Sequence, residues 1–165
     1  MNCPACRNKL EEISVDSMTI ELCQGGCGGM FFDHHELKKV DEPTELTGEK
    51  LVDLQSKAAV AVATTEPRRQ CPKCPSVTMM RHYFSVRKEV VIDECGNCGG
   101  MWLDKGELEK IRNEFRNTDE KLAAEQAFFN SFFDPQLDRA RNDNLDESFN
   151  KLGRLFSFLR KKPKG

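Results

Sequence analysis

Nowhere in the 165 residues does an apolar run approach the 18 or so needed to cross a bilayer, so no transmembrane segment is expected. The start, Met1-Asn-Cys-Pro-Ala-Cys6, also lacks the basic-then-apolar pattern of a secretory leader, and the expected location is cytoplasmic. Apolar residues are sparse, 38% against 32% charged, so the chain reads as one domain or two small ones without a deep core. Histidine is scarce as well. His34, His35 and His82 are the three present, and no catalytic set is recognisable around them, so no enzyme is expected. His34 and His35 read as surface residues at a helix start, with a ligand swap at the nearby cysteines as the minor alternative.

What the chain does have is eight cysteines in four close pairs, Cys3/Cys6, Cys23/Cys27, Cys71/Cys74 and Cys95/Cys98. In a reducing compartment an even, paired set points to metal rather than disulfides. The spacings, C-x2-C-x16-C-x3-C and C-x2-C-x20-C-x2-C, read as two four-thiolate sites. Soft thiolates about 2.3 Å from the ion suit zinc, two per chain, with iron as the alternative occupant. Closing loops of this length costs roughly 1.4 kcal/mol less than closing one of about 90 residues, so local pairing is favoured over a crossed set.

The chain also repeats itself. Cys23-Gln-Gly-Gly-Cys-Gly-Gly-Met-Phe-Phe-Asp-His-His-Glu-Leu37 returns 71 or 72 residues later as Cys95-Gly-Asn-Cys-Gly-Gly-Met-Trp-Leu-Asp-Lys-Gly-Glu-Leu108. In Cys3-Pro-Ala-Cys6 and Cys71-Pro-Lys-Cys74 proline fixes a tight turn, while Gly28 and Gly99 are free to take positive φ beside the sulfurs. Ile13-Ser-Val15 and Met18-Thr-Ile-Glu-Leu22 alternate around a turn at Asp16-Ser17, and 80–93 is rich in β-formers, so each module is expected to be a hairpin pinned by metal. Asp33-His-His-Glu36 and Asp104-Lys-Gly-Glu107 predict a short helix after each site. Met30-Phe-Phe32 and Met101-Trp-Leu103 are expected between helix and hairpin, covering the metal. The extra residue in Gln24-Gly-Gly26 reads either as a harmless insertion or as the mark of a looser first site.

These residues resemble the transcription factor IIB-type zinc-ribbon (zinc-finger) family, whose signature runs Cys-Pro-x-Cys, a hairpin, then Cys-x-x-Cys-Gly-Gly-x-Trp-Leu-Asp-x-Gly-Glu-Leu. Residues 71–108 match almost throughout. Residues 3–37 diverge at C-x3-C, at Phe31-Phe32 and at His35 in place of glycine. The resemblance implies a small metal-stabilised α+β fold with two tandem zinc ribbons, each a β-hairpin plus a short helix, ahead of an amphipathic helical tail. It implies no particular activity. A unit of about 40 residues buries too little apolar surface to hold itself together, so each copy needs its own ion.

The expected organisation is ribbon one over 1–41, a linker over 42–69, ribbon two over 70–116, two amphipathic helices over 117–160 and a basic disordered end over 161–165. Within the linker, 49–63 is a weak helical candidate carrying Leu51, Leu54 and Ala58. In the tail, Leu122, Phe129 and Phe133 form one stripe, and Leu145, Phe149, Leu152, Phe156 and Leu159 form another. The second stripe needs a partner: the preceding helix, a second copy of the chain, or an outside protein or membrane surface. Residues 118–147 carry net charge −5 and 151–165 carry +6, which suits an anionic surface or a solvated terminus that balances the acidic segment.

Three functions compete. A protein-interaction module, an adaptor or regulator in gene expression, fits cysteines fully used as structural ligands. Nucleic-acid binding would use Arg81, Tyr83 and Arg87 on one face of the second hairpin together with the basic end. The net charge of −2, which eight thiolates offset by two Zn2+ take to about −6, disfavours it. A zinc hydrolase or thiol redox protein would need an open metal position or a free thiolate, which four-cysteine sites do not leave.

Overall fold

The computed structural model describes residues 1–58 and 68–133. One compact unit, Met1–Ala124, holds both cysteine tetrads, and a second begins at Glu125. The stripe Leu145, Phe149, Leu152, Phe156 and Leu159, and the basic end, lie outside the described residues.

Six strands form one antiparallel sheet: β1 (Glu11–Val15), β2 (Met18–Leu22), β3 (Met30–Phe32), β4 (Met80–Tyr83), β5 (Val91–Glu94) and β6 (Met101–Leu103). Their order is β1-β2-β3-β6-β5-β4, so the two ribbons meet through their third strands and the second runs outward as the mirror sequence of the first. The tight turn between β1 and β2 pairs Val15 with Met18, and Asp16 takes φ 53° there, as a two-residue hairpin loop requires. Alternation then buries Val15, Met18, Ile20 and Leu22 while Ser14 and Thr19 pair across the outer face.

The central strands correct one expectation. Met30-Phe-Phe32 and Met101-Trp-Leu103 do not lie between hairpin and helix; they are β3 and β6, joined in the register Met30–Leu103, Phe31–Trp102 and Phe32–Met101. Successive side chains point to opposite faces. Met30, Phe32 and Leu103 therefore join one apolar cluster, with Leu37, Val40, Leu51, Leu108 and Ile111. Phe31 and Trp102 turn the other way, into a cluster made largely of the eight cysteines.

After each central strand the chain turns alike. Glu36 Oε2 accepts from the Asp33 amide at 2.8 Å and Glu107 Oε2 from the Asp104 amide at 2.7 Å, half of a capping box in both copies. In the second copy α2 (Glu107–Glu114) follows, with Leu108 and Ile111 buried. In the first the short helix is a single 3-10 turn, Leu37–Lys39. The carbonyls of Val40 and Pro43 are taken by the Arg112 guanidinium of α2, at 2.7 and 3.2 Å, and Pro43 has no amide to extend a helical ladder.

The stretch expected as a linker contributes to the core. Helix α1 (Leu46–Ser56) is capped by Glu45, whose carboxylate accepts from the Thr47 and Gly48 amides, and its buried face is Gly48, Leu51 and Gln55. A face with one apolar side chain gives little hydrophobic periodicity, which is why the pattern is weak. Arg112 crosses at Gly48, where its Nη1 occupies the space a Cβ would need. A third helix, α3, covers 118–133. Lys121 Nζ binds Asp41 at 2.8 Å, while Phe128, Phe129, Phe132 and Phe133 are exposed. Among the described residues no helix is long and apolar enough to cross a membrane.

Replacing a glycine inside an exposed helix by alanine ordinarily gains about 1 kcal/mol. Gly48→Ala is expected to reverse that sign, losing about 1–3 kcal/mol, because the new Cβ meets Arg112 and lies 2.6 Å from the Val40 carbonyl oxygen. Urea unfolding with zinc in excess checks it against Gly25→Ala, whose Cβ would meet nothing within 4 Å.

Candidate metal centres

In each tetrad the four sulfurs lie within 4.8 Å of one another. Cys3 to Cys27 and Cys6 to Cys23 are 3.4 Å apart in the first, and Cys71 to Cys98 is 3.8 Å in the second. An ion about 2.3 Å from four tetrahedral sulfurs spaces them about 3.8 Å apart, and all eight thiols are free of disulfides. The donor set and spacing fit zinc, so the chain has two Zn2+ sites, Cys3/Cys6/Cys23/Cys27 and Cys71/Cys74/Cys95/Cys98. Four sulfurs close each tetrahedron.

The knuckles prepare the sulfurs. The Ala5 and Cys6 amides both lie 3.4 Å from Cys3 Sγ, the Cys74 amide lies 3.3 Å from Cys71 Sγ, and Asn97 Nδ2 donates to Cys74 Sγ at 3.3 Å. The hydrogen bond from the Cys27 sulfhydryl, with smaller help from the Cys6 and Ala5 amides, brings the Cys3 thiol down to about 5 against the opposing effect of burial, while the same bond pushes Cys27 up. Burial drives Cys23 and Cys71 up to about 12. At Cys95 burial is outweighed by the Cys98 and Asn97 amides, which lower it to about 7. Metal binding requires the cysteine ligands as thiolates, so uptake of each ion releases protons.

The longer first knuckle does not open its site. Three of its four cysteines are buried, against two in the second tetrad. The extra length passes where Gly26 has room only for hydrogen: a Cβ there would lie 2.7 Å from Cys23 Sγ and 2.8 Å from Cys6 Sγ.

Beside each tetrad a pair of glycines receives the other ribbon. Gly28 and Gly99 take φ 75° and 68°, as the sequence suggests. At the next residue the approach is closer still. Added to Gly29, a Cβ would enter the Trp102 ring, with Cη2 at 2.7 Å, and added to Gly100 it would enter the Phe31 ring, with Cε2 at 2.8 Å. The flanking side chains repeat the exchange: Lys105 covers Gly28, His34 covers Gly99, and Lys73 of the second knuckle binds Asp33 at 2.6 Å.

Three buried polar residues tie the sites in ways the motifs do not announce. Gln55 Nε2 donates to the Gly28 carbonyl at 2.8 Å, and its Oε1 accepts from the Gly106 amide at 2.9 Å, joining the first knuckle to the start of α2. Arg69 donates to Asp104 Oδ1 at 2.7 Å, and Trp102 Nε1 donates to the same oxygen at 2.8 Å. Arg112 holds the chain after the first ribbon. Among these, the Trp-Leu-Asp echo was the available signal, since it put a hydrogen-bonding indole two residues from a carboxylate.

Of the residues considered for nucleic acid, both arginines are engaged within the chain. Arg81 and Tyr83 share one face of edge strand β4, where Arg81 forms a paired contact to buried Asp93 at 3.1 Å from both nitrogens. Arg87 lies over the Phe115 ring at 4.2 Å and binds Glu120 at 2.7 Å. Tyr83 is half exposed. His34 and His35 are exposed and outside both tetrads, and His82 pairs with Glu94.

Residues 2–42 and 70–114 match the model of a family described as transcription factor zinc-finger, of the TFIIB zinc-ribbon type. Searches of curated proteins and of solved structures return no match.

Two outcomes are expected. Native mass spectrometry of protein purified without added metal gives two zinc ions per chain, and stripping them with chelator collapses the β-sheet signal in circular dichroism. His35 stands at φ 70° where the second copy has Gly106 at 86°. His35→Gly is therefore expected to raise the unfolding free energy by about 1 kcal/mol, in contrast to the usual cost of introducing glycine.

Proposed function

Because the chain belongs to the transcription factor zinc-finger family, in two copies, we propose that it is a non-enzymatic, cytoplasmic protein-interaction module, an adaptor or regulator in gene expression. The observation that carries this reading is the aromatic face of α3. Phe128 and Phe132 have ring centroids 5.0 Å apart, Phe129 and Phe133 stack at 4.4 Å, and all four are at least 37% exposed. Clustered, preordered aromatic rings bury large area at small entropic cost, which is what interface hot spots require. The closed tetrads support the non-enzymatic part, since neither leaves a position for water or substrate. The neutralised Arg81 and Arg87 favour protein over nucleic acid as the partner.

Crosslinking and light scattering of the full chain test this against Phe129→Asp/Phe133→Asp. The wild-type chain is expected to associate, with itself or with a captured protein. The double variant, still carrying two zinc ions, is expected to lose about 2 kcal/mol or more of that affinity, roughly thirtyfold in Kd. Equal association by both chains, or none by either, would remove the aromatic face from the function. Binding of labelled nucleic acid that weakens steeply with salt would transfer the assignment to the second reading.

A further inference from the structure

We infer that the two zinc ions bind cooperatively, because the glycine pair that completes each knuckle is also the seat of the other ribbon's central aromatic side chain, leaving the singly loaded chain a minor species. Each seat is built onto a ligand. The Gly28 amide donates to the Cys23 carbonyl at 3.1 Å, and the Cys23 amide donates to the Gly29 carbonyl at 2.9 Å. In the second ribbon Gly99 and Gly100 bond Cys95 in the same two ways, at 2.8 and 2.9 Å. These closures hold the glycines in a left-handed turn directly after Cys27 and Cys98. Releasing the first ion frees both ends of the Cys23–Cys27 loop, and with them the floor on which Trp102 lies.

Trp102 passes the loss onward. Its indole N–H shares Asp104 Oδ1 with Arg69, and the Arg69 carbonyl accepts from the Met79 amide at 2.8 Å, just ahead of ligand Cys71. Gln55 adds a second link, since the Gly28 carbonyl it holds belongs to the first knuckle and the Gly106 amide to the second ribbon. In the other direction Phe31 rests on Gly100, and Asp33 grips Lys73, between ligands Cys71 and Cys74. Neither ribbon has a core of its own to absorb the change, because the apolar cluster draws side chains from both. A site whose geometry depends on its neighbour's ion binds more weakly when that ion is absent, and linkage makes the effect mutual.

The experiment is a zinc titration of the full chain, with none, one and two ions counted by native mass spectrometry. Independent sites, whatever their affinities, leave about half or more of the chains singly loaded at half-saturation. The expected fraction is well below that, and a value of one half or higher overturns the inference. A chain taking up no zinc overturns it together with the metal assignment. Disabling the first tetrad with Cys6→Ser/Cys27→Ser is expected to weaken zinc binding at the second by about 5- to 150-fold in chelator competition, and unchanged affinity there counts against coupling. Phe31→Leu keeps all eight ligands but loosens the seat at Gly100. It is expected to raise the singly loaded fraction, and a fraction equal to wild type would remove the aromatic seat as the carrier.

Discussion

The antiparallel contact of β3 with β6 is the interaction on which the remaining structure depends. A three-stranded zinc ribbon standing alone would leave its third strand as an open edge, with unpaired amides and carbonyls and an aromatic residue at its middle. Here each open edge closes the other. The same three residue pairs fix which side chains face which layer, because a slip of one residue would invert every side chain on both strands. In the observed register Phe31 and Trp102 reach the glycine seats beside the metals, and Met30, Phe32 and Leu103 reach the layer under the helices. One cross-strand alignment thereby sets the metal face and the helix face of both ribbons.

What closes around that contact is partly polar. Gln55, Arg69, Asp93, Arg112 and Glu114 are all buried. Burying such groups is costly unless their hydrogen bonds are made. Arg112 meets the condition by donating to the carbonyls of Val40, Pro43 and Glu45, and Asp93 by accepting from Arg81, with Arg69 as an ion-pair partner at 3.4 Å. Their contribution is mainly to position. Arg112 fixes the turn between the first ribbon and α1, and Gln55 fixes α1 against the first knuckle and the start of α2, so a helix with little apolar surface is held in one place.

The parts legible in the sequence are those whose chemistry is local. Ligand pairs four or five residues long, a turn at Asp16-Ser17 and an Asp-x-x-Glu helix start all declare themselves within a few residues, and the two tetrads, the first hairpin and α2 stand where that reading puts them. Less was legible wherever the determining partner is distant. Leu51 alone could not announce a core helix, because the face beside it is completed by Arg112 from about sixty positions away. The short strand Met101-Trp-Leu103 has too few residues for a period to be read. The repeated Gly-Gly-Met-aromatic line, in contrast, held the answer in a form that needed the pairing to be seen: the doubled glycine of one copy fits the ring of the other.

That fit bears on why the line is written twice. Duplication of a binding module ordinarily offers the same surface to two partners, which requires both copies to leave it open. In this chain the equivalent surfaces, the third strands and the glycine knuckles beside them, face each other and are closed by one another's side chains. The copies have also diverged where the contact does not demand identity. The first ends in a 3-10 turn with His35 in a left-handed position, and the second in a full helix after Gly106 that leads on to α3. Pairing therefore removes from view the surface the two copies share. What stays accessible differs between them: β1 with Glu11 and Glu12 at one end of the sheet, β4 with Met80 and Tyr83 at the other. The sheet therefore ends in two unlike edges, and the repeat serves the stability of the scaffold between them.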